Sequence, residues 1–199
     1  MEAVKDSGIS QSNLRESSIK DDGSVVTPAD HLLQKNISSR LYECWPDIPF
    51  MGEEMEHARQ ADIVNAKEKR FWTLDPLDGT TNFVHNLPIF SVSIGLIKDN
   101  ETICSVVYNP AADKCFWAEK NGGAFLNGEA IHITSTNTLS NSLLVTGFPY
   151  THDDRWSKGF DLFKTLYGKT QGVRRLGAAA LDFCFVAMGR FEGFWEFGL

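Results

Sequence analysis

The chain has 199 residues, 42% of them apolar and 23% charged, with 14 Phe and 5 Trp available to build a sizeable core. A formal net charge of −7 without a basic run argues against nucleic acid or an anionic membrane as the main partner. No apolar run reaches the length of a membrane span, no signal-peptide pattern opens the chain, and the histidines lack zinc-site spacing.

Residues 1–24 are polar and patternless. At "TPADHLLQKNISSRLYEC", Thr27 is placed to cap a helix, Pro28 to occupy its first position and Asp30 to complete a capping box. Ala29, Leu32, Leu33, Ile37, Leu41 and Cys44 then follow helical spacing, which predicts a helix over 28–44. "PFMGEE" (49–54) reads as a short strand ending in acid, a polar loop follows, and "RFWTLD" (70–75) reads as a buried strand. From 89 to 133 the pattern is antiparallel β, with hairpin turns at Lys98–Glu101, Asn121–Gly123 and Asn127–Gly128. After "SLLVTGF" (142–148) the period changes to helix at about 153–167, strand at "GVRRLG" (172–177), helix at 178–188 and strand at 190–197, the start of an α/β unit. The expected organisation is a polar segment 1–24, a metal-binding α+β domain 25–140, and the beginning of an α/β domain over 141–199. The cysteines, Cys44, Cys104, Cys115 and Cys184, show no C-x-x-C spacing, and three sit in apolar surroundings; they read as buried thiols of a cytoplasmic protein.

The stretch "LDPLDGTTN" (74–82) carries the chemistry. Its plain reading is a turn, with Pro76 at the first corner and Asp78-Gly79 at the close. Yet Asp75 and Asp78 are like charges three residues apart at the end of a buried strand, where they repel and lose solvation unless a cation lies between them. The Leu77 carbonyl is a natural third oxygen, and an all-oxygen donor set suits Mg²⁺. A bridging metal would also let an acidic protein bind a phosphate. Glu53 reaches the same ion if its strand neighbours 70–75; otherwise it is a solvated strand end. Asp30 reads equally as a helix cap or as a functional carboxylate. Thr80 serves either the turn or, held by an Asp, the removal of a proton from a metal-activated water.

"GEE" followed by "DPLDGTTNFVHNLPIFSVSIGL" resembles the signature of the inositol monophosphatase family of Mg²⁺-dependent, lithium-sensitive phosphatases. "DGSVVTPAD", "NPAADKCFWAEKNGGAFLNGEAI", "TGFPY" and "RRLGAAALDFCFVAMGRFEGFWE" extend the resemblance from about residue 20 to the end. It implies the layered α-β-α-β(-α) sugar-phosphatase fold, of mixed α+β and α/β class with an incomplete second domain, and two or more Mg²⁺ ions. The implied metal ligands are Glu53, Asp75, the Leu77 carbonyl and Asp78. Thr80, Asp30 and Glu53 are the implied catalytic residues. The metal-binding group, Gly79 and Thr80 would grip the phosphate, while Gly177, Ala178, Ala179 and Glu196 would line the substrate pocket. The implied ligand is a small phosphomonoester, bound by a homodimer as is common in the family. Thr81-Asn82 favours an inositol or sugar phosphate over a nucleotide. Histidinol-phosphate phosphatases of the same superfamily, or a non-catalytic metal- or phosphate-binding relative, are the alternatives. Family members continue into a W-D-x-A-A-G-like segment whose Asp completes the metal site, so the sequence is expected to be a fragment or a chain truncated at both ends. Arg174 and Arg175 read as alternating across a strand.

Overall fold

The computed structural model describes residues 13–66 and 69–198. The first twelve residues of the polar start, two in the polar loop before residue 70, and Leu199 lie outside the described residues.

The first helix, α1 (Pro28–Cys44), begins as its sequence dictates. Thr27 accepts from the Ala29 amide, and Asp30 reaches back to the Thr27 amide at 2.8 Å to close the capping box. Upstream, Ser18–Ile19 (β1), inside the segment read as patternless, and Val25–Val26 (β2), just after it, form a small antiparallel ribbon. Strands of two residues are too short to show alternation, and the turn is set by Asp22, which accepts from the amide and hydroxyl of Ser24.

The main sheet has seven strands in chain order: β3 (Phe50–Gly52), β4 (Arg70–Asp78), β5 (Ser91–Lys98), β6 (Glu101–Asn109), β7 (Lys114–Glu119), β8 (Gly123–Leu126) and β9 (Glu129–Ala130). Only the β3–β4 pair is parallel. Tight turns fix the register of the hairpins. Asp99-Asn100 and Asn127-Gly128 place both central residues at positive φ, the combination that follows the twist of the strands.

Three expectations change here. The polar loop contains a helix, α2 (His57–Val64), which buries none of its residues and so left no apolar stripe to read. Strand β4 runs on through Pro76 to Asp78, because its register against β5 shifts between Asp75 and Asp78. The segment 75–78 is therefore a bulged strand end, and the chain turns at Gly79 into the short helix α3 (Thr80–Val84). Residues 131–133 leave the sheet, and Ile131 packs on the core instead.

A second sheet is fully parallel, in the order β11 (Gly172–Arg174), β10 (Leu143–Thr146), β12 (Gly193–Trp195). The last strand is shorter than the expected 190–197. Helix α4 (Asp154–Tyr167), capped by Asp153, packs on β11. Helix α5 (Ala179–Ala187) lies between the sheets: Leu181 and Cys184 pack with Phe116 and Val107 of the large sheet, while Phe183 meets Phe194 of β12 at 4.6 Å.

Register shows which face carries the acids. Asp75 pairs with Ser93, Ser93 with Val107, and Val107 with Phe116, so Asp75 lies on the α5 face of the sheet. Trp72, three residues earlier, lies on the opposite face and meets Trp45 at the end of α1 at 5.3 Å. The layers thus run α1, large sheet, α5, small sheet, with α4 against β11. All four cysteines are free, and Cys184 alone of them is buried, contrary to the expectation for the set. No helix among the described residues is long and apolar enough to cross a membrane.

Candidate active site

Parallel pairing of β3 and β4 puts Gly52 opposite Leu74, and the Glu53 amide donates to the Leu74 carbonyl at 3.1 Å. This places Glu53 beside Asp75. The two residues line one cavity of about 300 Å³ with Gln60, Thr73 and Ser93. Asp75 Oδ1 accepts from the Leu77 amide at 3.0 Å. Burial holds the Asp75 carboxyl well above the ordinary carboxylate range, and the charges of Glu53 and Asp78 push it further. Lys20 answers part of this charge: its Nζ lies 2.9 Å from Glu53 and 2.6 Å from Glu54. Glu54 is nearly buried, whereas the Glu53 side chain is half exposed at the rim.

Asp78 lies further along the same face, against the start of α5. Its oxygens accept from the amides of Ala179 at 3.0 Å and Ala180 at 2.9 Å, and from Ser91 Oγ at 3.2 Å. It thereby serves as a side-chain cap for α5, supplied from a strand about a hundred residues away, because Ala178 at the cap position has no side-chain acceptor. Burial raises its proton affinity, and these hydrogen bonds oppose the rise.

Asp30 caps α1 and also reaches Thr80. Its Oδ2 accepts from the amide and hydroxyl of Thr27, and its Oδ1 lies 3.2 Å from Thr80 Oγ1. Thr80 Oγ1 is also 2.8 Å from the Leu77 carbonyl. A hydroxyl has one proton to donate, so one of these acceptors takes it, and a lone pair remains for a third partner. Burial raises the proton affinity of Asp30, against the pull of its hydrogen bonds to Thr27 and Thr80.

Gly79 joins the acidic strand end to this group. It sits at φ +85°, and a Cβ there would lie 2.9 Å from the Ile89 carbonyl and 3.1 Å from Ala178 Cβ. The buried Asn82 then ties the loop down, donating to the Ile89 carbonyl at 2.7 Å and the Leu176 carbonyl at 2.8 Å. Asn82→Ala leaves two carbonyls without this donor. It is expected to cost about 2 kcal/mol or more in a denaturant titration, since each orphaned buried group costs about 1–3 kcal/mol.

Of the residues expected to line a substrate pocket, Gly177 lies at φ +82° before α5, and Ala178 is buried in the core beside Phe116 and Leu181. The Ala178 side chain therefore packs inward, and the Ala179 amide is engaged by Asp78. Glu196 follows β12, and any side chain at Gly147 would overlap its carboxylate. Burial raises its proton affinity, with Arg175 opposing and Asp78 reinforcing. Asp182, on α5, escaped the sequence reading. It is 1% exposed, its Oδ1 has no hydrogen-bond partner, and its pKa is pushed up to about 7 by burial, then by Asp78 and Glu196. A lone Asp in an apolar helix gave no sign that it would lie near Asp78.

The structure thus gathers Glu53 with Asp75, and Asp30 with Thr80 and the Leu77 carbonyl. It turns Asp78 towards α5. Among the described residues no three acidic, His or Cys groups close into a ready-made metal cage. The donor chemistry nevertheless suits a hard cation: every candidate ligand is oxygen, and Asp75 lies close to the negative charges of Glu53 and Asp78, which Lys20 offsets only in part. Lys20, Gln34 and Gln60 support this region from outside the acidic motif, while Asn82 and Ser91 support it from within the signature stretch.

A family model described as the inositol monophosphatase family matches residues 2–199. Inositol-1-monophosphatase of Rhizobium meliloti is 37% identical over 179 residues, covering 90% of this chain and 65% of its own length. The chloroplastic phosphatase IMPL1 of Arabidopsis thaliana is 40% identical over 181 residues, covering 88% and 47%. Among solved structures, the extragenic suppressor protein suhB of Bartonella henselae superposes with a TM-score of 0.86 at 35% identity, over 99% of this chain and 73% of that one. The chain thus spans about two thirds or less of the two curated relatives.

Proposed function

The chain belongs to the inositol monophosphatase family, and from that premise we propose that it is a Mg²⁺-dependent phosphomonoesterase acting on inositol monophosphate or a similar polyol or sugar phosphate. The observation that carries the reading is the pairing of Glu53 with Asp75 in one cavity, next to a Thr80 hydroxyl set between Asp30 and the Leu77 carbonyl. The inositol-1-monophosphatase name of its bacterial relative supports the substrate class.

In this reading Glu53, Asp75, Asp78 and the Leu77 carbonyl would hold the metal. When bound, Mg²⁺ would neutralise the phosphate charge and lower the pKa of a nearby water. Thr80 Oγ1 would take a proton from the attacking water as its own passes to Asp30 Oδ1, whose proton affinity burial has raised. The water oxygen would bond to phosphorus as the bond from phosphorus to the leaving alkoxide breaks. The Gly79–Thr80 main chain, at the start of α3, presents N–H groups to phosphate oxygens. Gly177, Ala178 and Ala179 shape the wall at the start of α5, and Glu196 accepts from substrate hydroxyls. The Lys20 ammonium, 2.9 Å from Glu53, holds that side chain at the rim of the cavity.

Thr80→Ala is expected to lower kcat by about a hundredfold or more, the scale of general acid–base catalysis, while Thr80→Ser retains most of it. Phosphate release with Mg²⁺ and inositol 1-phosphate measures both. Normal turnover in the alanine variant would remove Thr80 from the mechanism.

A further inference from the structure

The residue that brings Glu53 to the cavity stands at the end of an edge strand. Strand β3 has three residues, and among the described residues its one neighbouring strand is β4, so its outer main-chain groups have no partner strand there. Such an edge frays readily, and a frayed β3 would carry Glu53 away from Asp75. Met55 turns back on this edge, its amide donating to the Gly52 carbonyl at 3.3 Å and its Sδ accepting the Gly52 N–H at 3.2 Å, and two glutamines complete the cover. Gln60, from the unanticipated helix α2, donates its Nε2–H to the Gly52 carbonyl at 2.9 Å and approaches the Glu53 carbonyl at 3.4 Å. Gln34, from α1, accepts the Glu54 N–H on its Oε1 at 3.1 Å. Their chemistry is complementary, since one site needs a donor and the other an acceptor. A carboxamide supplies either at the end of a chain long enough to reach.

Gly52 is fitted to this arrangement. A Cβ there would overlap the Gln34 carboxamide, so only glycine lets α1 come close enough for the hydrogen bond. Gln60 also lines the cavity shared by Glu53, Asp75 and Ser93, at the edge opposite β4. We propose that Gln34 and Gln60 are positioning residues of the cation site: a two-sided clamp on Gly52–Glu54 that holds Glu53 beside Asp75. The role rests on the metal reading given above. Neither glutamine touches a reacting atom, and both act through the strand end.

The test has a readout independent of activity and of metal. In the wild-type chain the hydrogen bond to Gln34 is expected to protect the Glu54 amide from hydrogen exchange. Gln34→Met, which keeps the length but removes the acceptor, is expected to raise Glu54 exchange about tenfold, whereas Gln34→Glu restores protection. Mn²⁺ binding, followed by electron paramagnetic resonance, is expected to weaken about tenfold in Gln34→Met and in Gln60→Met, the scale of losing an outer support of a metal ligand. Gln34→Glu is expected to bind within about threefold of wild type, a smaller loss than removing the outer support altogether. A purely structural role would lower the thermal midpoint without separating the methionine and glutamate variants at position 34. Unchanged Mn²⁺ affinity in both methionine variants, with binding intact in the wild type, overturns the clamp alone. Absence of Mn²⁺ binding by the wild type overturns the metal reading and the clamp's role together.

Discussion

Asp75→Asn is expected to abolish Mg²⁺-dependent phosphate release, by at least about a hundredfold, while the folded chain survives. Even outer supports of metal ligands act on that scale, and Asp75 is the buried member of the Glu53 pair. Survival follows from its electrostatics. Burial, Glu53 and Asp78 all raise its proton affinity above the ordinary value of 3.8, so the metal-free fold prefers this carboxyl protonated. The sign is that of an acid whose folded pKa is raised. Its contribution to stability is fully present below pH 3.8 and is lost as pH climbs through the higher folded value. Metal-free wild type should therefore lose stability from about pH 4 into the neutral range, and added Mg²⁺ should restore it. Asp75→Asn replaces the charge with a neutral isostere, so its unfolding midpoint should vary less with pH and gain nothing from Mg²⁺. Thermal melts at pH 5 and pH 8, with and without Mg²⁺, read all of these effects. Equal Mg²⁺ stabilisation of both proteins would remove Asp75 from the site.

Gly79→Ala is expected to damage fold and function together. Alanine at φ +85° costs about 1–2 kcal/mol. Crowding its Cβ against the Ile89 carbonyl and Ala178 adds about 1–3 kcal/mol. The thermal midpoint should fall by roughly 5–15 °C. The Gly79 bend also sets Thr80 against Asp30, so kcat should fall in the fraction that stays folded. Calorimetry and phosphate release at a temperature below both transitions separate the two effects. An unchanged midpoint would mean that the loop yields without cost, contrary to its packing.

Local chemistry made much of the fold legible. Thr27, Pro28 and Asp30 announced α1, and the Asp99-Asn100 and Asn127-Gly128 turns announced their hairpins, because each signal acts within four residues. Helix α2 gave no signal because it buries no residue. The 75–78 segment misled because Pro76 and Asp78-Gly79 carry turn chemistry, while the sheet absorbs them as a bulge. At the site, residue types were legible and their partners were not. That Asp78 would cap α5, that Asn82 would clasp Leu176, and that Asp182 would lie unpaired near Asp78 depends on contacts about a hundred residues apart. Asp30 shows the same limit on a smaller scale: capping α1 and contacting Thr80 looked like alternatives, yet its two oxygens do one each.

The central claim is that the acids of β3 and β4 form a divalent-cation site. Isothermal titration of Mg²⁺ into the 199-residue chain and into Asp75→Asn tests it most directly. The account predicts saturable binding by the wild type that is lost in the variant, with both proteins folded. Equal binding by the two, or none by the wild type, would contradict it.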